Sequence, residues 1–185
     1  MCYHTFNILT YFLCKIKWER KNILKNQKLI LRYISIILLV LAVVFIWGNS
    51  LKEGSESLED SGAVKGVIEQ ILSALGIDVE VGEILIRKTA HFAEYFALGL
   101  LACFAAWQNG LPQKPYLSGA FCVLIAVVDE VIQSFVPGRN GNALDVLIDS
   151  AGAICAIAAV ILILFVKKRK KVKKTLDKEQ NNVIQ

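Results

Sequence analysis

What most limits the folds open to this chain is where its charges stand. Two apolar runs, Leu117–Val128 and Ser150–Val166, flank a stretch crowded with polar side chains: Asp129, Glu130, Gln133, Arg139, Asp145 and Asp149. A bilayer has a hydrocarbon core about 30 Å thick, which a helix of about 20 apolar residues crosses, so both runs read as parts of membrane spans. An ionisable group at the bilayer centre costs a few kcal/mol or more, which makes such groups functional candidates by default. The rest of the chain can be taken as the frame that holds this polar stretch.

Composition agrees with a membrane protein. Of 185 residues, 55% are hydrophobic and only 20% charged. Charge is segregated between long uncharged runs instead of being spread evenly, as it is over a soluble domain. The pattern predicts one all-α domain, an integral membrane four-helix bundle with an additional outer amphipathic helix. The first span is Leu29–Trp47. Arg32, near its start, can snorkel to the interface, and Trp47 suits the opposite interface. The second span covers about His91–Trp107, the third about Leu117–Phe135 and the fourth about Ala143–Val166.

Between the first two spans, Gly48–Asp60 reads as a polar loop. Val64, Val67, Ile68, Ile71, Leu72 and Leu75 then recur at the spacing of one helix face. That helix is too short and too one-sided to span, and Gly76 is its expected stop. Asn109-Gly110 with Pro112 and Pro115, and Pro137-Gly138 with Asn140-Gly141, mark the two remaining turns.

Residues 1–28 form a basic N-terminal segment. Phe6, Leu9, Phe12, Leu13 and Ile16 are spaced for an amphipathic helix on the membrane surface, and a plain basic flank fits equally well. Residues 167–185 form a basic tail, expected to be solvated and disordered at its end. The two ends are the most basic segments, and Gly48–Glu83 is acidic. Both termini are therefore expected in the cytoplasm, which demands an even number of spans, as counted. Cys2, Cys14, Cys103, Cys122 and Cys155 show no CxxC spacing and no histidine at ligand spacing, so neither disulfides nor a cysteine metal site is expected. The first long apolar run lacks a cleavage site after it, so no cleavable leader is expected.

Heights follow from a rise of about 1.5 Å per residue. Measured from the expected cytoplasmic ends, Asp129 stands roughly 18 Å up, Glu94 roughly 20 Å, and His91, Gln133 and Asp149 roughly 24–26 Å. Three helices thus carry polar groups at one depth in the outer part of the bilayer. Lys88, His91, Glu94 and Tyr95 share a helix face; so do Asp129 and Gln133, and Asp145 and Asp149.

Such a cluster supports several chemistries. Lys88 and Arg139 suit a phosphate or carboxylate. His91 beside a carboxylate suits a general base or nucleophile. The carboxylates could instead hold a divalent cation, with no residue assigned to one. For each residue the competing role is structural, one link in a network of ion pairs and hydrogen bonds that joins the helices. The candidate catalytic residues are His91, Glu94, Asp129 and Glu130; the candidate substrate-binding residues are Lys88, Tyr95, Gln133, Arg139, Asp145 and Asp149.

These same positions resemble a known family. Arg87-Lys88-Thr89-Ala90-His91-Phe92-Ala93-Glu94-Tyr95, Asp129-Glu130-Val131-Ile132-Gln133, and Pro137-Gly138-Arg139 with Asp145 are similar to the three motif blocks of the VanZ-like family, in order, within residues 29–166. The resemblance implies a bacterial integral membrane protein of four to five helices. The family's founding member is linked to low-level resistance to teicoplanin, a glycopeptide antibiotic with a lipid tail, and the resemblance brings no established biochemical activity. Carried over by residue, the motif positions are Lys88, His91, Glu94, Tyr95, Asp129, Glu130, Gln133, Arg139 and Asp145. Asp149 departs from the pattern, standing where the family often has Asn.

Three functions compete. The chain modifies an envelope lipid or head group; it binds one without chemistry; or it is part of a transporter. Against the last, the cytoplasmic halves of the second to fourth spans carry no polar path. The expected partner is a membrane lipid or lipid-linked envelope component in a bacterial plasma membrane, not nucleic acid. No cofactor or oligomeric state is implied.

Overall fold

The apolar runs form the helices their lengths demand, and most of those helices extend beyond the runs. The computed structural model describes residues 2–76, 82–111, 114–139 and 141–183. In order they form α1 (Cys2–Ser50), α2 (Gly54–Ala74), α3 (Glu83–Gln108), α4 (Pro115–Ser134) and α5 (Ala143–Val183). Among the described residues there is no strand. Four helices are long and apolar enough to cross a membrane, over Tyr11–Ser50, Glu83–Gln108, Pro115–Ser134 and Ala143–Asn181. The all-α membrane bundle expected from the sequence is the observed fold. Pro112 and Asn140, and the side chains of Cys2, Phe6, Leu9, Cys14 and Lys178, lie outside the described residues.

Several boundaries differ from the expectation. Residues 2–28 continue the first span without a break and form no separate surface helix. The stretch expected as a polar loop to Asp60 is mostly helix, since α2 starts at Gly54. Its early polar residues Ser57 and Ser61 are buried, giving it a polar inward face that a search for apolar periodicity overlooks. The α2 helix ends at Ala74, and Gly76 follows at φ 78°, the left-handed stop its identity suggests. α3 begins at Glu83, before the expected His91, because Ile84, Leu85 and Ile86 and the charged pair Arg87-Lys88 after them continue the helix. The tail expected to be disordered is helical to Val183, as its lysine-rich composition permits.

Packing explains how the site is assembled. Tyr95, Leu98, Ala102 and Ala105 make the buried stripe of α3. On α4 the buried stripe begins with Ser118, Cys122, Ile125 and Ala126 and ends with Asp129, Glu130 and Gln133. The carboxylates therefore stand on the inward face of their helix, as charged residues in spans usually do. The α3 and α5 helices run parallel and make the most extensive contact in the bundle. Glycine allows it: a Cβ on Gly152 would lie 2.3 Å from the Phe92 carbonyl oxygen, and one on Gly99 would lie 2.8 Å from that of Ala153. Small residues that let backbones approach are the usual means of joining helices in lipid.

The two ends of the bundle differ. At one end Arg32 does not merely snorkel. Its Nε donates to the Gln108 carbonyl oxygen at 2.8 Å, satisfying the C-terminus of α3. At the other end meet the C-termini of α1 and α4 and the N-termini of α3 and α5, and there the polar residues gather.

Candidate functional site

The site is built from short-range helix geometry. Within its own helix His91 lies roughly 12 Å from the start of α3, Asp149 roughly 9 Å from the start of α5, and Asp129 roughly 8 Å from the end of α4. The three helices hold these residues at matching depth. A ligand atom from each of His91, Asp129 and Asp149 lies within 4.8 Å of the others. Asp129 and Asp149 are both 0% exposed, so no solvent offsets their polarity. His91 Nδ1 stands 3.5 Å from Asp149 Oδ1, within ion-pair range and too long for a hydrogen bond.

Hydrogen bonds tie the cluster to α1. Gln133 Nε2 donates to Asp129 Oδ2 at 3.0 Å and to Ser50 Oγ at 3.2 Å. Asn49 Nδ2 donates to Glu94 Oε1 at 3.0 Å. Gln133 and Asn49 thus orient a carboxylate each, and both bonds leave one carboxylate oxygen out of the pairing.

The Pro137-Gly138 turn brings in Arg139. Its guanidinium donates to the carbonyl oxygens of Asn49 and Ser50, at 3.1 and 3.0 Å, and to Ser57 Oγ at 2.8 Å. The two-pronged end expected to grip a phosphate is therefore engaged with the C-terminus of α1, where a cation is favoured, and with α2. Only Nε is left buried without a partner. The turn can sit this close because Gly54 and Gly138 face each other: Gly54 N–H donates to the Pro137 carbonyl oxygen at 3.2 Å, and a Cβ on Gly54 would meet Gly138 O at 2.2 Å.

A cavity of about 130 Å³ opens between the end of α1, α2 and α3, lined in part by Asn49, Ser57, Arg87, His91, Glu94 and Arg139. Arg87 makes no hydrogen bond or ion pair with any described residue. Burial first, and then the neighbouring charge of Arg87, hold the Arg139 guanidinium below its ordinary pKa. Arg139 still carries its charge, since an arginine does not deprotonate in a protein. At the rim, the hydrogen bond from Lys52 to Asp60, 2.7 Å long, raises the Lys52 pKa.

The remaining candidates lie elsewhere. Lys88 Nζ pairs with Asp145 Oδ1 at 3.2 Å across α3 and α5, and neither residue lines the cavity. Glu130 Oε2 accepts the Asn142 backbone N–H at 2.7 Å and so braces the turn into α5. Tyr95 is fully buried, with its hydroxyl unpartnered. Sequence reasoning placed Arg87 among the pocket cations and missed Asn49, Ser50 and Ser57 as pocket residues. The polar pair Asn49-Ser50 directly after Trp47, and the Gly54, Ser57, Ser61 spacing of one helix face, were the available signals.

Fold and site together define a multi-pass α-helical membrane protein with a polar cluster buried between its spans at one end. The chain belongs to the VanZ/LLP1 family, whose family model matches residues 35–166. No curated protein and no solved structure matches the chain.

Proposed function

We propose that this chain takes the anionic head group of an envelope lipid, or of a lipid-linked envelope component, into the cavity beside Arg87, and that this alters susceptibility to teicoplanin-type glycopeptides. The basic ends support an orientation with both termini cytoplasmic and that cavity at the outer face of a bacterial plasma membrane. The observation that carries the reading is Arg87: a guanidinium with no partner among the described residues, set close enough to Arg139 to disturb it, in a cavity at the end of a span. Two neighbouring cations with no carboxylate paired to either favour an anion between them. Phosphate and carboxylate match the guanidinium fork best.

The test is lipid retention by the purified chain. Reconstitution in equal parts phosphatidylglycerol and phosphatidylcholine, followed by native mass spectrometry, should find phosphatidylglycerol retained. Arg87→Gln should remove that preference and restore the susceptibility of a deletion strain. Equal retention of both lipids by the unaltered chain would end the proposal. The His91–Asp149 contact beside the same cavity favours a second reading, acid–base modification of the bound head group. On that reading His91→Gln would keep lipid retention and lose the effect on susceptibility.

A further inference from the structure

The anion pocket leaves the deepest part of the cluster unexplained. There two fully buried carboxylates, Asp129 and Asp149, face a single, partly exposed imidazole. Asp129 Oδ1, both oxygens of Asp149 and His91 Nδ1 have no hydrogen-bond partner. Buried charges in proteins are paired or coordinate metals, because leaving them bare costs several kcal/mol. The helices hold these atoms together although no hydrogen bond satisfies them and the 3.5 Å His91–Asp149 contact is the ion pair among them.

We propose that His91, Asp129 and Asp149 bind one divalent transition-metal cation, Mn²⁺ or Zn²⁺. Metal–nitrogen and metal–oxygen distances of about 2.0–2.2 Å put neighbouring ligand atoms about 3.0–3.5 Å apart. The His91–Asp149 separation of 3.5 Å already lies in that range. The 4.8 Å limit leaves at most about 1.3 Å to close when the ion binds. Gln133 fixes Asp129 by donating to Oδ2, so Oδ1 remains for the ion, as an outer partner does at metal sites.

The donor set selects the ion. An imidazole suits zinc and the later transition metals, carboxylates suit manganese and harder ions, and Mn²⁺ and Zn²⁺ accept both. Ca²⁺ asks for six to eight oxygens, which three side chains with one nitrogen donor do not provide. The ion would cancel the two negative charges and keep coordination positions for water or substrate. His91 also lines the 130 Å³ cavity, which supplies a route to it. The site uses none of the atoms of Arg87, so it stands or falls apart from head-group binding.

The experiment uses the full chain with a histidine-free tag, stripped with chelator in detergent micelles. Mn²⁺ is titrated and followed by loss of its free-ion paramagnetic resonance signal; Co²⁺ is followed by visible absorption. The expected result is about one Mn²⁺ per chain at micromolar concentration, unaffected by a large excess of Mg²⁺. Asp149→Asn should weaken Mn²⁺ binding by about tenfold or more, and His91→Gln should shift the Co²⁺ bands. Failure of the folded, unaltered chain to bind Mn²⁺, Zn²⁺ or Co²⁺ stoichiometrically below millimolar overturns the proposal without recourse to any variant. Binding that both substitutions leave within about twofold overturns it as well.

Discussion

Gly152→Ala should disable the site without touching a polar residue. The added Cβ would fall 2.3 Å from the Phe92 carbonyl oxygen, about 1.1 Å inside the 3.4 Å of ordinary contact. That oxygen belongs to the α3 backbone and cannot rotate away, so α3 and α5 must part by about an ångström. Forced overpacking of this kind costs about 1–3 kcal/mol. The same displacement acts on His91, one residue before Phe92, and on Asp149, one turn before Gly152. Their separation of 3.5 Å should widen beyond ion-pair range. Thermal unfolding in detergent measures the first effect and antibiotic susceptibility at matched membrane levels the second. Gly66→Ala is the control: a Cβ there meets nothing within 4 Å, inside α2. Alanine is the better helix former, so it should stabilise by about 0.5–1 kcal/mol. Equal unfolding midpoints for Gly152→Ala and the unaltered chain would refute the close-packed α3–α5 interface.

Gly54→Ala should loosen α2 and the Arg139 turn, since its Cβ meets the Gly138 carbonyl oxygen at 2.2 Å; limited proteolysis within α2 should speed up. Arg139→Lys keeps the charge but not the fork that reaches Asn49, Ser50 and Ser57, and should cost about 1.5 kcal/mol in thermal unfolding. Paired with Gln133→Leu, which frees Ser50 and Asp129, it should give losses that do not add, because both substitutions release the end of α1. In a cysteine-free background, Ser55→Cys, exposed on α2, should react with an impermeant reagent from outside the cell; labelling from the cytoplasmic side alone would reverse the proposed topology.

Most of the fold was legible because lipid imposes long apolar runs, and runs such as Leu117–Val128 cannot be hidden in a sequence. The convergence of His91, Asp129 and Asp149 was legible from depth arithmetic alone, as helix rise is fixed. Polar helix was harder to read. The start of α2 at Gly54 lacks apolar periodicity, because it is held by the glycine contact and by side chains such as Ser57. The partner of each polar residue was not legible at all. Arg139, expected to meet a ligand, bonds the end of α1, and Lys88 is taken up by Asp145. Spacing places a residue on a face and at a depth, while partners depend on rotamers and on the crossing of neighbouring helices.

The central claim is that the cavity beside Arg87 receives an anionic head group, and photo-crosslinking from inside it tests this most directly. Ala90 lines the cavity, whereas Val123 is exposed on the apolar surface of α4. A benzophenone amino acid at each position, in membranes grown with radioactive phosphate, reports which lipids come within reach. The account predicts that the probe at Ala90 captures anionic lipid in excess over the probe at Val123, and that Arg87→Gln abolishes the excess. The same lipid mixture at both positions, unchanged by Arg87→Gln, would contradict it.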